Sequence, residues 1–448
     1  MAGYKQYFKG KKITVMGLGL LGRGVGDTAF LSEMGADLIV TDLKTEAELK
    51  KSLDELKGYE NITYVLGEHR LEDFTDRDMI LKSAGVPLDS PYIEAARAHN
   101  VPIKMSASLV AELSPATIVG VTGTRGKSTV TQLIHHILKG ALRQNSGQTG
   151  KRVFLGGNVR GIATLSLLAE AREGDIVVME LDSWQLQGFG DAKVSPHIAV
   201  FTNLKADHLN YYPDEKTYFN DKANIFRYQK EGDILIAGQH VTNTWIKAAR
   251  PPIDPIVPSP IPKDWKLKIF GEHNMENAAF AVEACRAIGI SEDDIEKGVE
   301  SFSGVEGRLQ YVKKVNGVGV YNDNNATTPD ATAAGLAALA TEGFSGKIVL
   351  ILGGADKTLD LSMLAGLINE ETFVSSIVLL PGTGSEKLKP LLQREYIEAP
   401  SLTDAVHTAI DLARGTGVIL FSPAFASFGM FKNEYDRNDQ FLKIVDSL

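Results

Sequence analysis

A single cysteine, Cys285, stands among 448 residues, so the chain can form no internal disulfide framework. It lies in Asn277–Ala287, a stretch that reads as helix, where a buried apolar role is expected rather than a catalytic one. No apolar run is long enough to span a bilayer, and Met1–Lys12 is polar and basic, without the apolar core of a secretion signal. An excess of positive charge is also lacking. With 47 Lys and Arg against 56 Asp and Glu the formal net charge is −9, which disfavours broad binding to nucleic acid or anionic lipid. Low-complexity tracts and short repeats are absent. These absences describe a cytoplasmic protein with neither a nucleic acid nor a membrane as partner. An anionic substrate would need locally gathered basic groups.

What is present is 44% hydrophobic and 23% charged residues, the balance of a soluble globular protein, in a chain long enough for about three domains. Short β-branched runs alternate with amphipathic helical patterns, which predicts parallel sheets covered by helices. Three blocks separate, at residues 1–106, 107–307 and 308–448. The first opens with a strand at Ile13–Met16, a glycine turn, a helix to about Met34, and a strand at Asp37–Thr41. In the second, strands are expected at Thr117–Val121, Asp175–Leu181, His197–Asn203 and Asp233–Ile236. The proline-rich run Pro251–Pro262 reads as a surface loop. The third carries strands near Gly317–Tyr321, Lys347–Leu352, Ser376–Leu380 and Gly417–Phe421.

The strongest local signal is Gly120–Ser128, Gly-Val-Thr-Gly-Thr-Arg-Gly-Lys-Ser, between a strand and a helix rich in Val130, Leu133, Ile134 and Ile137. Such a loop aims backbone N–H groups and a helix N-terminus at phosphate oxygens. Lys127 can reach terminal phosphates and the Ser128 hydroxyl can ligate magnesium, with Gly123, Thr124, Arg125, Gly126 and Thr129 completing the cradle. The strict pattern asks for glycine where Val121 stands, so Gly123 is expected to make the tight turn. A second glycine motif, Gly17-Leu-Gly-Leu-Leu-Gly22, follows a strand, opens a helix and precedes the strand-end Asp42, which is a fingerprint for a diphosphate-containing ligand. Glu180 and Asp207-His208 end strands of the second block and, beside a phosphate loop, form a credible magnesium shell. His135 and His136 receive no role. Lys222, Arg308 and Lys357 could hold an anion, Lys357 because it follows Gly353-Gly354 at a strand's carboxyl end.

With these residues in place, the sequence resembles the Mur ligases over nearly its whole length. Besides the two glycine loops, the resemblance is carried by Gly156-Gly-Asn158, Glu180 with Ser183 and Gln185, Asp207-His208, His273–Asn277, Gly307-Arg308, Asn322-Asp323, Ser422–Ser427 and Phe431-Lys-Asn433. It implies an α/β protein of three domains: a Rossmann-like domain for a uridine-diphosphate substrate, a central P-loop ATPase domain, and a Rossmann-like domain for the incoming amino acid. It places Leu20, Leu21, Asp42, Gly85, Asn158, Ser183 and Gln185 toward the nucleotide substrate. Asn274, Asn277, Arg308 and Asp323 fall toward ATP. Thr327, Lys357 and Ser427 fall toward the amino acid. It further implies two magnesium ions near Ser128, Glu180 and His208, and a carbamylated lysine at Lys222. Lys127, Lys222, His208 and Glu180 then form the catalytic set. The implied reaction adds glutamate, of the D form, to UDP-N-acetylmuramoyl-L-alanine through an acyl phosphate.

The sequence departs from the family pattern at Arg125, where Asn is usual, at Asp182 for Ser, at Asn324-Asn325 for Ser-Lys, and in the order of Glu434-Tyr435. The change at Asn325 bears on the amino-acid pocket and leaves L-glutamate as an alternative. A poly-γ-glutamate-synthase-like ligase would share the phosphate loop but has no use for the first block. An NAD-dependent dehydrogenase would explain Gly17–Gly22 and Asp42 but not the phosphate loop.

Overall fold

The computed structural model describes residues 3–20, 22–87, 89–144, 150–159, 161–205, 211–269, 271–345, 347–370, 374–414 and 417–448; the side chains of 143 and 144 are not among those described. Leu21, Asp207 and His208 therefore lie outside the described residues. The chain divides into two compact units, Met1–Lys263 with Asn277–Gly298, and Asp264–Glu276 with Val299–Leu448.

The first unit holds two five-stranded parallel sheets. One has strands β1 (Lys12–Met16), β2 (Asp37–Asp42), β3 (Ile62–Leu66), β4 (Met79–Lys82) and β5 (Ile103–Lys104), in the order β3-β2-β1-β4-β5. The other has β6 (Thr117–Thr122), β7 (Val153–Gly157), β8 (Ile176–Glu180), β9 (Ile198–Phe201) and β10 (Ile234–Ala237), in the order β10-β9-β6-β8-β7. The central strands are mostly apolar, as strands covered by helices on both faces are. Every residue of Ile176–Glu180 is buried, whereas the edge strand β3 keeps most of its residues partly open. The proline-rich run is largely surface loop, as its composition predicts, and Ile256 within it pairs with β10, Ala237 N–H donating to Ile256 O at 2.9 Å. That bond covers part of an otherwise open sheet edge.

The second unit contains β11 (Gln310–Val315), β12 (Val318–Asn322), β13 (Ile348–Leu352), β14 (Val374–Leu379), β15 (Ile397–Glu398) and β16 (Val418–Phe421), in the order β11-β12-β16-β13-β14-β15. Uniformly parallel pairing is corrected here. β11 runs antiparallel to β12, because the tight turn at Asn316-Gly317, with φ of 50° and 90°, reverses the chain directly. β12, β16, β13, β14 and β15 pair in parallel. Cys285 is fully buried, and burial pushes its thiol up, as expected of a core residue.

Candidate functional site

Three constellations form, each at carboxyl ends of parallel strands, where neighbouring loops diverge and leave a crevice.

The first lies where the strand order reverses between β1 and β4. Gly17–Leu20 and Ser83–Val86 line a cavity of about 450 Å³, joined by Asp42–Lys44, His69, Met105–Ala107, Gly157, Thr164 and Gln185. Asp42 acts on the loop itself. Its Oδ2 accepts from Gly19 N–H at 3.0 Å and its Oδ1 from Lys44 N–H at 2.9 Å, so one carboxylate shapes both flanking turns. Leu20 is exposed at the loop tip and Gly85 lines the wall. Ser183 opens the helix Ser183–Ala192, whose first turn is capped reciprocally: Gln185 N–H donates to Asp182 Oδ1 at 2.8 Å and Asp182 N–H to Gln185 Oε1 at 3.2 Å. Aspartate caps as well as serine, so the departure at Asp182 leaves this turn intact. Asn158 follows β7, its N–H donating to Glu180 O at 2.7 Å and its Oδ1 accepting from Arg23 Nη1 at 2.6 Å.

The sequence reading passed over Arg23, Lys82 and His69 in this cavity. Lys82 is buried at the end of β4, with Nζ donating to Val86 O at 2.8 Å and Ser83 O at 3.3 Å; burial lowers its pKa to about 8 against the pull of Asp182, Asp191 and Asp221. Burial likewise holds the His69 imidazole below its ordinary value. Arg23 could have been noticed, since it directly follows Gly22.

The second constellation is the phosphate loop, Gly123–Gly126 between β6 and the helix Lys127–Gln144. A Cβ at Gly123 would collide with Thr202 Oγ1, and one at Gly126 with Asn277 Oδ1; both residues also hold positive φ, of 144° and 85°. The turn is thus made at Gly123, with Val121 wholly inside β6. Neighbouring β9 pins the loop: Thr124 N–H donates to Asn203 O at 2.9 Å, Arg125 N–H to Asn203 Oδ1 at 3.0 Å, and Thr202 Oγ1 to Arg125 O at 2.6 Å. Because Arg125 joins through its backbone while its side chain stays exposed, arginine is tolerated there. Lys127 Nζ folds back on Gly123 O at 3.0 Å and Thr124 O at 3.2 Å; Ser128 and Thr129 are half-buried in the first helical turn.

Two sequence-predicted residues converge on this loop. Glu180, nearly buried, ends β8 in register with Val121, one residue before Thr122. Lys222 ends the helix Glu215–Lys222 and is 1% exposed, with Nζ donating to Gly123 O at 3.0 Å and Thr122 Oγ1 at 3.4 Å, over the Tyr218 ring. Among the described residues no group of three or more His, Cys, Asp or Glu could hold a metal ion.

The third constellation lies in the second unit, beyond β12, β13 and β16. A cavity of about 310 Å³ is lined by Arg308, Asn325, Thr327, Lys357, Ala426, Ser427, Phe428, Glu434 and Tyr435. Thr327 and Lys357 are directly bonded, Lys357 Nζ donating to Thr327 Oγ1 at 2.8 Å. Burial, then the charge of Arg437, lowers the Lys357 pKa, and Glu434 opposes this. Asp323 is buried at the end of β12; its carboxylate accepts from Leu309 N–H at 3.0 Å and Ser422 Oγ at 2.8 Å, and burial raises its pKa to about 7. Asn274 is buried in the helix Glu272–Ile288. Sequence reasoning missed Arg437. It is fully buried, donating to Asn324 Oδ1 at 2.8 Å, Asn324 O at 2.9 Å and Phe425 O at 3.1 Å, with its pKa lowered by burial to about 10. No local signal marks an arginine whose partners are remote in sequence.

Comparison with known proteins agrees with this geometry. Residues 11–104 match the family described as Mur ligase MurD-like, N-terminal domain; residues 121–259 match the Mur ligase middle domain; residues 307–425 match the Mur ligase, glutamate ligase domain. The UDP-N-acetylmuramoylalanine–D-glutamate ligase of Roseiflexus sp. (strain RS-1) is 35% identical, covering 98% of this chain and 99% of that one. The protein of the same name from Borreliella afzelii (strain PKo) is 34% identical, covering 98% of each. Among solved structures, UDP-N-acetylmuramate-alanine ligase MurC of Thermotoga maritima aligns with a TM-score of 0.59 at 22% identity, over 98% of this chain and 99% of that one. MurF ligase of the same organism, in complex with ADP, aligns with a TM-score of 0.58 at 16% identity, over 99% and 96%. These structural likenesses speak to the fold.

Proposed function

The chain belongs to the Mur ligase family, and from that premise we propose that it uses ATP to join D-glutamate to UDP-N-acetylmuramoyl-L-alanine, a cytoplasmic step of peptidoglycan precursor synthesis. One observation carries the reading: likeness to ligases of that name runs through all three segments, including the MurD-like first one with its 450 Å³ cavity. Among the described residues no helix is long and apolar enough to cross a membrane. The segments 1–106, 107–307 and 308–448 would then serve the UDP-sugar, ATP and glutamate.

A carboxylate is a poor acyl electrophile. The alanyl carboxylate would attack the γ-phosphorus of ATP, releasing ADP and leaving an acyl phosphate. The glutamate amine then attacks that carbonyl, expels inorganic phosphate and loses a proton to give the amide. Catalysis of this kind is largely positioning and charge neutralisation. The backbone N–H groups of Gly123–Ser128 cradle the phosphates, and Lys127 leaves its carbonyl partners to meet them. Asn274, Asn277, Arg308 and Asp323 serve the nucleotide, while Thr327, Lys357 and Ser427 hold the glutamate carboxylates.

The donors around the loop suit magnesium, which takes few protein oxygens and completes its shell with water and phosphate. The Ser128 hydroxyl and Glu180 carboxylate would hold it, joined by His208; when bound, the ions neutralise charge on the transferring phosphoryl group. The Lys222 ammonium has no lone pair to offer. Its neutral amine can attack carbon dioxide, forming an N–C bond and losing a proton; the carbamate presents two oxygens for a hard cation.

The test is phosphate release with ATP, UDP-N-acetylmuramoyl-L-alanine and each glutamate enantiomer. Release requiring all three with D-glutamate is expected; release only with L-glutamate, or none, refutes the assignment. Carbon NMR after labelling with isotopic bicarbonate reports the carbamate, and its absence together with an active Lys222→Ala enzyme removes it.

A further inference from the structure

Arg23 is the first residue of the helix Arg23–Glu33 and lines the 450 Å³ cavity, half-buried. A cation at a helix N-terminus opposes the helix dipole, so its presence there does not serve helix stability. An arginine offers five N–H donors in a planar fork. Among the described residues its one hydrogen bond is from Nη1 to Asn158 Oδ1 at 2.6 Å.

Nearby acids do not take up the remaining donors. Asp27, one turn along the helix, accepts instead from Leu165 N–H at 2.9 Å and from the Ser106 hydroxyl. Both Asp42 oxygens are engaged by the backbone N–H groups of Gly19 and Lys44. The other cations differ in availability: Lys82 is 2% exposed and turned onto two carbonyls, whereas Lys44 stands half-buried at the cavity margin. Among the described residues the guanidinium is thus a charged fork with spare donors, set in the first turn of a helix, where the leading N–H groups have no acceptor within the helix.

We propose that Arg23 binds the diphosphate of the nucleotide-sugar, pairing its free edge with phosphate oxygens while Nη1 keeps Asn158. A planar fork fits phosphate with two parallel N–H···O bonds, which lysine cannot reproduce. The Asn158 bond places this cation on the same loop that touches Glu180 through its backbone. An occupied diphosphate site thereby steadies the turn after β7, beside the end of β8 that carries Glu180. This rests on reading the cavity as the UDP-sugar site.

Calorimetric titration of the whole protein with UDP and with uridine tests it. Arg23→Met keeps the aliphatic stem and should weaken UDP at least tenfold while leaving uridine unchanged; Arg23→Lys should recover only part of the loss. Equal losses for UDP and uridine in Arg23→Met, an unchanged UDP affinity, or failure of the unsubstituted protein to bind UDP each overturns the proposal. Amide formation alongside unchanged UDP affinity in Arg23→Met defeats Arg23 alone. Selective UDP loss in a protein that makes no amide defeats the ligase reading alone.

Discussion

Replacing Arg437 by methionine tests whether a buried cation with no ion pair among the described residues organises the 310 Å³ cavity. Arg437 and Asn324 are both wholly buried, so water cannot substitute for the guanidinium. The substitution strips three acceptors, the Asn324 side-chain and backbone oxygens and Phe425 O, of their donors. Each buried acceptor left bare costs about 1–3 kcal/mol, and bonds from a charged donor are each worth about 1.5–3 kcal/mol net. Against this, methionine relieves several kcal/mol of desolvation held by an unpaired buried ion. The balance is a loss of roughly 2–4 kcal/mol, typical of a broken buried network. Asn324 also donates to Asn325 Oδ1 at 3.2 Å and to Glu434 O at 2.9 Å, so two residues lining the cavity lose their common anchor. Urea unfolding should show the destabilisation, and the glutamate KM should rise while that for the UDP-sugar holds. Arg437→Lys, keeping the charge with fewer directed donors, should fall between. Stability within about 0.5 kcal/mol of the original with an unchanged glutamate KM would refute the reasoning, because both consequences follow from the same three bonds.

Lys127→Ala should retain the unfolding midpoint and lose at least about a hundredfold in kcat, since its ammonium donates to the loop carbonyls of Gly123 and Thr124 beside the place where phosphate would sit; activity above a tenth of the original contradicts the role. Lys357→Ala should raise the glutamate KM at least about tenfold with little change for ATP, and an unchanged value removes it from the pocket. Asp323 supplies a pH signature. Its folded pKa, raised to about 7, means that above pH 4 the unfolded carboxyl ionises first, so stability is lost as pH rises through about 7. Between pH 5 and 8 the original protein should lose roughly 2–3 kcal/mol more than Asp323→Asn, at about 1.4 kcal/mol per pH unit crossed. Parallel urea midpoints across that range would count against a neutral buried Asp323.

The sequence by itself determined the repeated α/β architecture and the location of both glycine loops. Strand periodicity, turn glycines and helix starts are local properties, written within a few residues of where they act. It also identified Thr327, Lys357 and Ser427 for a common role, and they line one cavity. Tertiary structure decided what depends on distant pairing. β11 turns antiparallel because a two-residue turn reverses the chain, a choice periodicity does not distinguish from a parallel strand. Asp42 spends both oxygens on backbone N–H groups, which a strand-end acid in a motif does not reveal. Lys222 comes to lie under Thr122 and Gly123 only once the helix Glu215–Lys222 packs. Arg437 becomes an anchor only because its guanidinium is buried against Asn324 and Phe425. Burial and long-range hydrogen bonds set the charge state and reach of these groups, and both come from packing between segments far apart in the chain.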